Sequence, residues 1–468
     1  MEGETLNGKH VVILGLARQG AALTRFVTES GAQVTVSDLK REELLADQLE
    51  ELAELPVRYV LGEHPISLLD EADLLCLSGG VPSTIPIVQA ARERGITLSN
   101  DAQLFLERCP ARVIGITGSA GKTTTTALVG EMCRAAGLRT WVGGNIGNPL
   151  ITDLDAMGTE DWVVMELSSF QLELMTNSPQ IAAVLNVTPN HLDRHKTMEA
   201  YISAKQNIVA HQTAEDVAVL GYDDAIARAL ALETPANLYF FSAGAEVEAG
   251  AFKTNGELTL RIGDGWTQSK EHVDLEICRA SEVRLLGDHN LLNVLAASTL
   301  AALAGVAMDA IRKVATTFTG VEHRLELARD LDGVRWYDDS IATTPERAVA
   351  ALMSFRDPIV LLAGGRDKDL PWGEFADETV RRVRHLITFG EAGPMIEDAV
   401  AERLGQDNEG SALEAISPVE TLEQAVAQAA RVVRPGDVVL LSPGGTSFDA
   451  FRDFAERGDR FKDFVRAL

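Results

Sequence analysis

Short apolar runs recur along the chain, many ending on Gly, Ser, Asp or Asn, with stretches of helical periodicity between them. Residues 10–15, 33–38 and 73–78 are such runs, and the Gly79-Gly80 pair closes the third. Buried strands alternating with helices predict parallel α/β units. The first three runs predict a Rossmann-like domain over residues 1–100. A second series, 112–116, 161–166, 181–186 and 216–221, predicts a central domain over 101–320. Within it, 238–277 changes character: Gly turns and alternating runs such as 257–262 predict an antiparallel side sheet. An Ala-rich helix is expected over 290–303. A third unit, 321–468, has strands expected at 334–338, 359–363, 385–389 and 437–442 and reads as Rossmann-like again. The predicted fold class is therefore α/β in three domains. A length of 468 residues agrees, at roughly 150 residues per domain.

In open α/β sheets ligands gather outside the carboxyl ends of strands, so chemistry is sought there. The run 112–116 leads into Thr117-Gly118-Ser119-Ala120-Gly121-Lys122-Thr123-Thr124, followed by a helical pattern. Strand, glycine turn and helix with Lys-Thr at its start form a phosphate cradle. Backbone N–H groups turn inward and the helix N-terminus adds partial positive charge. Lys122 is expected to reach the outer phosphates of ATP and Thr123 to hold Mg²⁺. The strict G-x-x-x-x-G-K-[ST] pattern is not met, because Ile116 stands at its first glycine.

Two further strand ends carry polar chemistry. Glu166 closes one and is a candidate Mg²⁺ ligand, since a hard cation wants oxygen donors; a helix-capping acid is the plainer reading. His191 follows another and could bind metal through a neutral ring nitrogen, or be an ordinary loop histidine. Lys205, on the helix beyond, reads by itself as a helical lysine. In the first domain, 15–20 departs from G-x-G-x-x-G at Ala17, yet could present N–H groups to a diphosphate, with Ser37-Asp38 reaching a ribose or uracil. In the third, 363–368 and 442–448 end two strands. Ser447 is expected near a helix N-terminus, suited to a carboxylate, and Lys368 could pair with one.

The formal net charge is 42 − 69 = −27, which argues against nucleic acid or an anionic membrane as partner. Cys76, Cys109, Cys133 and Cys278 form no C-x-x-C pair and read as reduced packing residues of a cytoplasmic protein. The acidic start of the chain shows no signal-peptide pattern, and no apolar run is long enough to span a bilayer.

Taken in order, Thr-Gly-x-x-Gly-Lys-Thr, Gly144-Asn-Ile-Gly147, Glu166-Leu-Ser-Ser-Phe-Gln171, His191-Leu-Asp-Arg194, Ala204-Lys205 and Gly287-Asp-His-Asn-x-x-Asn293 resemble the Mur ligase family. His323-Arg324, Asp339-Ser340, Gly-Gly-Arg-Asp-Lys368 and Leu-Ser-Pro-Gly-Gly-Thr-Ser447 continue the likeness over nearly the whole chain. The resemblance is greatest to the members that add D-glutamate to UDP-N-acetylmuramoyl-L-alanine in peptidoglycan synthesis. It implies an ATP-dependent ligase working through an acyl phosphate, with two Mg²⁺ ions and a CO₂-derived carbamate on Lys205.

By that match Lys122, Glu166, His191 and Lys205 are catalytic. Thr123, Glu166, His191 and carbamylated Lys205 hold metal. Gly118, Ser119, Ala120, Gly121, Lys122, Thr123, Thr124, Asn290, Asn293, Arg324 and Asp339 bind the nucleotide. Gly15, Leu16, Ser37, Ser78, Asn145 and Ser168 take the UDP-substrate, and Thr343, Lys368, Ser447 and Phe454 the glutamate. A monomer is expected. Two departures stand out. Ile341 replaces a Lys usual after Asp-Ser, which leaves D- against L-glutamate open, and Ser78-Gly-Gly80 replaces the more usual Ser-Pro-Gly. Alternatives are the same reaction with L-glutamate, another ligase of the Mur/folylpolyglutamate superfamily, a non-catalytic ATP-binding regulator, and an NAD-dependent dehydrogenase. The dehydrogenase is disfavoured by the missing G-x-G-x-x-G.

Overall fold

A computed structural model describes residues 5–263, 273–285, 287–367, 370–406 and 411–468. The chain divides into two compact units, 1–284 with 288–318, and 285–287 with 319–468. Three sheets organise them.

The first sheet has five parallel strands in the order Val57–Leu61, Gln33–Asp38, His10–Leu14, Leu74–Leu77, Thr97–Ser99. His10–Leu14 and Leu74–Leu77 are neighbours, so the strand order reverses between them and a crevice opens at their carboxyl ends. The chain there turns at Gly15 into the helix Arg18–Glu29. The turn is so tight that a Cβ on Gly20 would lie 1.9 Å from the Gly15 carbonyl oxygen. Both faces of the sheet are covered, with Val11, Ile13, Val34 and Val36 in one apolar layer and Val12, Leu14, Leu75 and Leu77 in the other. Cover on both sides explains why these strands read as unbroken apolar runs.

The second sheet, in the same unit, has nine strands. Its parallel centre runs Val217–Gly221, Ile181–Val184, Arg112–Thr117, Trp162–Glu166, Thr140–Gly144. The segment expected as an antiparallel side sheet is a continuation of this one. Asn237–Ser242 adds parallel to Val217–Gly221, and Gly250–Thr254 adds parallel to it. Glu257–Ile262 and Val273–Arg279 then follow antiparallel. Parallel pairing needs a crossover connection, and the helix Ala225–Ala229 supplies one before Asn237–Ser242. The expected helix over 290–303 is found as Asp288–Leu303.

The third sheet, in the second unit, runs Glu326–Leu331, Val334–Asp338, Val438–Gly444, Ile359–Gly364, Val383–Phe389, Ala415–Pro418, with only the first pair antiparallel. Among the described residues no helix is long and apolar enough to cross a membrane. The four cysteines are free thiols.

Candidate active site

In the second sheet the strand Arg112–Thr117 lies between Trp162–Glu166 and Ile181–Val184, so three strand ends meet side by side. From the middle one emerges the glycine turn, and the helix Lys122–Ala135 begins at Lys122 itself. Its N-cap is Gly121 at φ +84°, a conformation that costs an L side chain roughly 1–2 kcal/mol. A Cβ there would also lie 2.3 Å from Asn293 Oδ1. The neighbouring strand end grips the turn: Ser119 N–H donates to the Asn186 carbonyl at 3.0 Å and Ala120 N–H to Asn186 Oδ1 at 2.9 Å.

Of the predicted phosphate and metal residues, Lys122, Thr123, Glu166 and Lys205 converge on this turn. Lys122 Nζ donates to the Gly118 carbonyl at 2.9 Å. Thr123 Oγ1 donates to Glu166 Oε2 at 2.8 Å, and Asn145 Nδ2 to Glu166 Oε1 at 2.9 Å. Glu166 is buried and ends its strand; the helix that follows is capped by Ser168, so the plainer reading of Glu166 as a cap does not hold. Thr124 lies in the first turn of the helix. Asn293 accepts from Thr125 Oγ1 at 3.3 Å and donates to Asn290 Oδ1 at 2.7 Å, which ties both predicted asparagines to the phosphate-loop helix. Beside the loop opens a cavity of ≈ 290 Å³, with Leu185, Phe241 and Leu292 as apolar wall and Asn293 and His289 as polar points.

Lys205 is no ordinary helical lysine. It is 1 % exposed, and Nζ donates to the Gly118 carbonyl at 2.9 Å and weakly to Thr117 Oγ1 at 3.4 Å. Burial, then the charge of Lys122, push its proton affinity well below that of an ordinary lysine, with Glu166 opposing. Tyr201, one turn earlier on the helix Met198–Ala210, puts its ring 4.7 Å from Nζ and its hydroxyl 3.0 Å from Ser119 Oγ. Sequence reading missed Tyr201; the i, i+4 spacing to Lys205 was the available signal. His191 is exposed, at φ +55°, with its ring edge-on to Phe170 at 5.2 Å. Phe170 also stacks on His195, whose Nε2 lies 2.9 Å from Ser169 Oγ.

Oxygen donors from Thr123 and Glu166 beside a phosphate loop suit Mg²⁺. A protonated Lys205 would repel a cation there, and burial beside the charge of Lys122 works against that proton. The oxygen donors of Thr123 and Glu166 therefore fit the metal.

At the first sheet's crevice, Gly15, Leu16 and Ser78 come together: Ser78 N–H donates to the Leu14 carbonyl at 2.9 Å. The expectation that Ser37 and Asp38 reach out to a ligand is not met by their side chains. Ser37 is fully buried and donates to the Glu63 carbonyl at 2.8 Å, with His64 Nδ1 at 2.7 Å. Asp38 Oδ2 accepts from Leu16 N–H at 2.7 Å, so the carboxylate holds the glycine turn in place.

In the second unit, Asp339 is buried, accepting from Ser442 Oγ at 2.8 Å and Leu325 N–H at 3.2 Å. Burial pushes its carboxyl up to about 7, against the hydrogen bond from Ser442 and the charge of Arg324. Arg324 sits between two residues with positive φ, His323 at 61° and Leu325 at 45°. His323, Glu326 and Asp338 bring possible ligand atoms within 4.8 Å of one another. Lys462 Nζ, 3.2 Å from Glu326 Oε2, already supplies a cation there.

Ser447 is buried, but the helix after it starts at Phe454 and is capped by Asp453, so Ser447 is not at its N-terminus as expected. Thr343 follows Ile341, to whose carbonyl it donates at 2.9 Å. Lys368 lies outside the described residues. Sequence reading also missed Arg457, fully buried on the helix Phe454–Arg466. It donates to Ser340 Oγ and the Ser340 carbonyl, both at 2.9 Å, and to the Gly445 carbonyl at 3.1 Å. An arginine in a charge-rich helix gives no sequence signal of this.

A phosphate loop flanked by a carboxylate strand end and a buried lysine defines a nucleotide-dependent phosphoryl-transfer enzyme. Residues 9–100 match the family model described as Mur ligase MurD-like, N-terminal domain; 116–301 match Mur ligase middle domain; 323–445 match Mur ligase, glutamate ligase domain. The UDP-N-acetylmuramoylalanine--D-glutamate ligase of Acetivibrio thermocellus is 42% identical over 463 residues, covering 99% of this chain and 97% of that one. The protein of the same name from Symbiobacterium thermophilum is 45% identical over 462 residues, 98% of each chain. Among solved structures, the UDP-N-acetylmuramate-alanine ligase MurC from Thermotoga maritima covers 98% of this chain and 99% of its own at a TM-score of 0.54; at 20% identity it speaks for the fold alone. The chain belongs to the Mur ligase family.

Proposed function

We propose that this chain is an ATP-dependent carbon–nitrogen ligase that joins D-glutamate to UDP-N-acetylmuramoyl-L-alanine, producing ADP and phosphate, in peptidoglycan precursor synthesis. Relatives bearing that activity in their names match it over almost its full length. The observation that carries the chemistry is the gathering of Lys122, Thr123, Glu166 and Lys205 around one glycine turn.

In this reading residues 1–100 hold the UDP-substrate, 101–320 the ATP and 321–468 the glutamate. The ≈ 290 Å³ cavity takes the adenosine, with Asn290 and Asn293 beside it and the triphosphate along 118–124. Arg324 and Asp339 contribute to nucleotide binding, and Lys122 stabilises charge on the transferring phosphoryl group. Thr123 would hold one Mg²⁺, and Glu166, His191 and a carbamate on Lys205 would hold a second. The ions would supply charge neutralisation for phosphoryl transfer.

The γ-phosphoryl group passes to the alanine carboxylate, giving an acyl phosphate and ADP. The glutamate amine attacks the acyl carbon, the C–N bond forms, and phosphate leaves with the C–O bond electrons. Gly15 and Leu16, at the turn after the first strand, take the UDP part with Ser78, and Asn145 and Ser168 line its path. Ser37 acts by shaping that site from within. Thr343, Lys368, Ser447 and Phe454 take the incoming glutamate. The protein acts as a cytoplasmic monomer.

The test is a product assay with ATP, UDP-N-acetylmuramoyl-L-alanine and each glutamate enantiomer in turn. Incorporation of D-glutamate alone is expected. Incorporation of L-glutamate alone overturns the assignment in favour of an L-specific ligase.

A further inference from the structure

In the third sheet the strands Val334–Asp338, Val438–Gly444 and Ile359–Gly364 lie side by side and parallel, so their carboxyl ends form one edge. Ligands gather at such an edge in open α/β sheets. The turn 339–344, which leaves the first of these strands, is tied into it. Gly444 N–H donates to the Ala342 carbonyl at 2.9 Å, and Ser340 Oγ to the Phe454 carbonyl at 2.7 Å. Thr343 is thereby held on the edge that also carries Ser447 and Phe454.

Glutamate brings two carboxylates to this edge, while the chain as a whole carries a formal net charge of −27. Local cations must therefore receive them. Arg366 is held by Glu391 through two hydrogen bonds of 2.7 and 2.9 Å. Arg457 is buried and turned to the Ser340 and Gly445 carbonyls. Position 341, within the turn, is Ile rather than a cation.

Arg347 differs. It is exposed in the first turn of the helix Pro345–Leu352, which follows the turn directly. Its guanidinium folds back to the Ile341 carbonyl, Nη1 donating at 3.4 Å to an oxygen that already accepts from Thr343 N–H at 2.9 Å. Among the described residues that is its one side-chain hydrogen bond, and no carboxylate pairs with it. Helix electrostatics disfavour a cation at an N-terminus, and Thr344 gives this helix no side-chain cap. Two positive poles therefore meet here with one long carbonyl contact beside them. A carboxylate seated there would be stabilised by both, and the guanidinium fork matches it in shape.

We propose that Arg347 binds a carboxylate of the incoming glutamate, doing from the helix what a lysine at position 341 would do from the turn. The contact with the Ile341 carbonyl brings the guanidinium to the turn on which such a lysine would stand. This rests on the reading of the third domain as the glutamate site.

The experiment is steady-state kinetics of wild type, Arg347→Ala, Arg347→Lys and the double variant Arg347→Ala with Ile341→Lys, reading KM for glutamate and KM for ATP at low and high salt, with Tm for each. Arg347→Ala is expected to raise KM for glutamate about ten- to a hundred-fold, the range of one hydrogen-bonded charge contact, with Tm and KM for ATP unchanged. Arg347→Lys should recover part of that loss, and the double variant most of it. Salt should raise KM for glutamate more steeply in wild type than in Arg347→Ala, because an exposed ion pair is screened.

An Arg347→Ala enzyme whose KM for glutamate stays at the wild-type value, or rises only in step with KM for ATP, overturns the proposal. So does a double variant no better than Arg347→Ala. Should Arg347→Ala not fold, Arg347→Gln is read by the same criteria. A wild-type protein that incorporates no glutamate instead overturns the assigned function.

Discussion

Asp339 offers a measurable conflict between stability and function. Its carboxyl is enclosed by the fold and held at about 7, where an unburied aspartate titrates near 3.8. A folded-state value above the unfolded one means the folded state holds its proton more tightly. The stability this confers is full below pH ~4 and is lost as pH rises through about 7. The difference, at about 1.4 kcal/mol per tenfold, amounts to roughly 4 kcal/mol above pH 7. Asp339→Asn removes the ionisation and can keep both contacts, with Oδ1 accepting from Leu325 N–H and Nδ2 donating to a rotated Ser442 hydroxyl. The variant should therefore be more stable than the parent at pH 8 and equal to it near pH 4. For a unit of about 150 residues that gain corresponds to roughly 8–16 °C in Tm. Scanning calorimetry of both proteins from pH 4 to 9 reads this directly, and ATP affinity should fall in the same variant. A Tm difference that does not change with pH, or a loss of stability at pH 8, would refute the reasoning.

Lys205→Ala should be nearly inactive, with partial recovery on adding small carboxylates such as acetate or formate; full activity in the product assay would remove the carbamate from the mechanism. Gly121→Ala places a methyl 2.3 Å from Asn293 Oδ1 at a backbone angle that L residues avoid, so ATP affinity should fall at least about tenfold by equilibrium binding. Arg457→Met strands the buried carbonyls of Ser340 and Gly445, at about 1–3 kcal/mol each. It should lower Tm and raise KM for glutamate, and Arg457→Lys should recover part of both, whereas an unchanged KM would confine Arg457 to stability.

The parallel strands were legible because both faces are covered and the runs are uniformly apolar, as in residues 11–14 and 359–363. The phosphate loop was legible because its chemistry is local: glycine, lysine and threonine act within a few residues of one another. The outer strands of the nine-stranded sheet were harder. Alternation marks strands but not their partners, so the parallel addition of Asn237–Ser242 could not be read from spacing. Ser37 and Asp38 sit where a ligand contact is expected, yet His64 and the Leu16 N–H, distant in sequence, claim their side chains. Arg457 was invisible for the same reason. A charged residue in an amphipathic segment looks solvated until the fold brings distant partners to it.

Glu166 accepts one hydrogen bond at each oxygen, from Thr123 and from Asn145. Each oxygen keeps a second lone pair, so a divalent ion could join the carboxylate while sharing it with those donors. Because the two donors pin the carboxylate from opposite oxygens, its plane would already be set for such an ion rather than chosen when it binds.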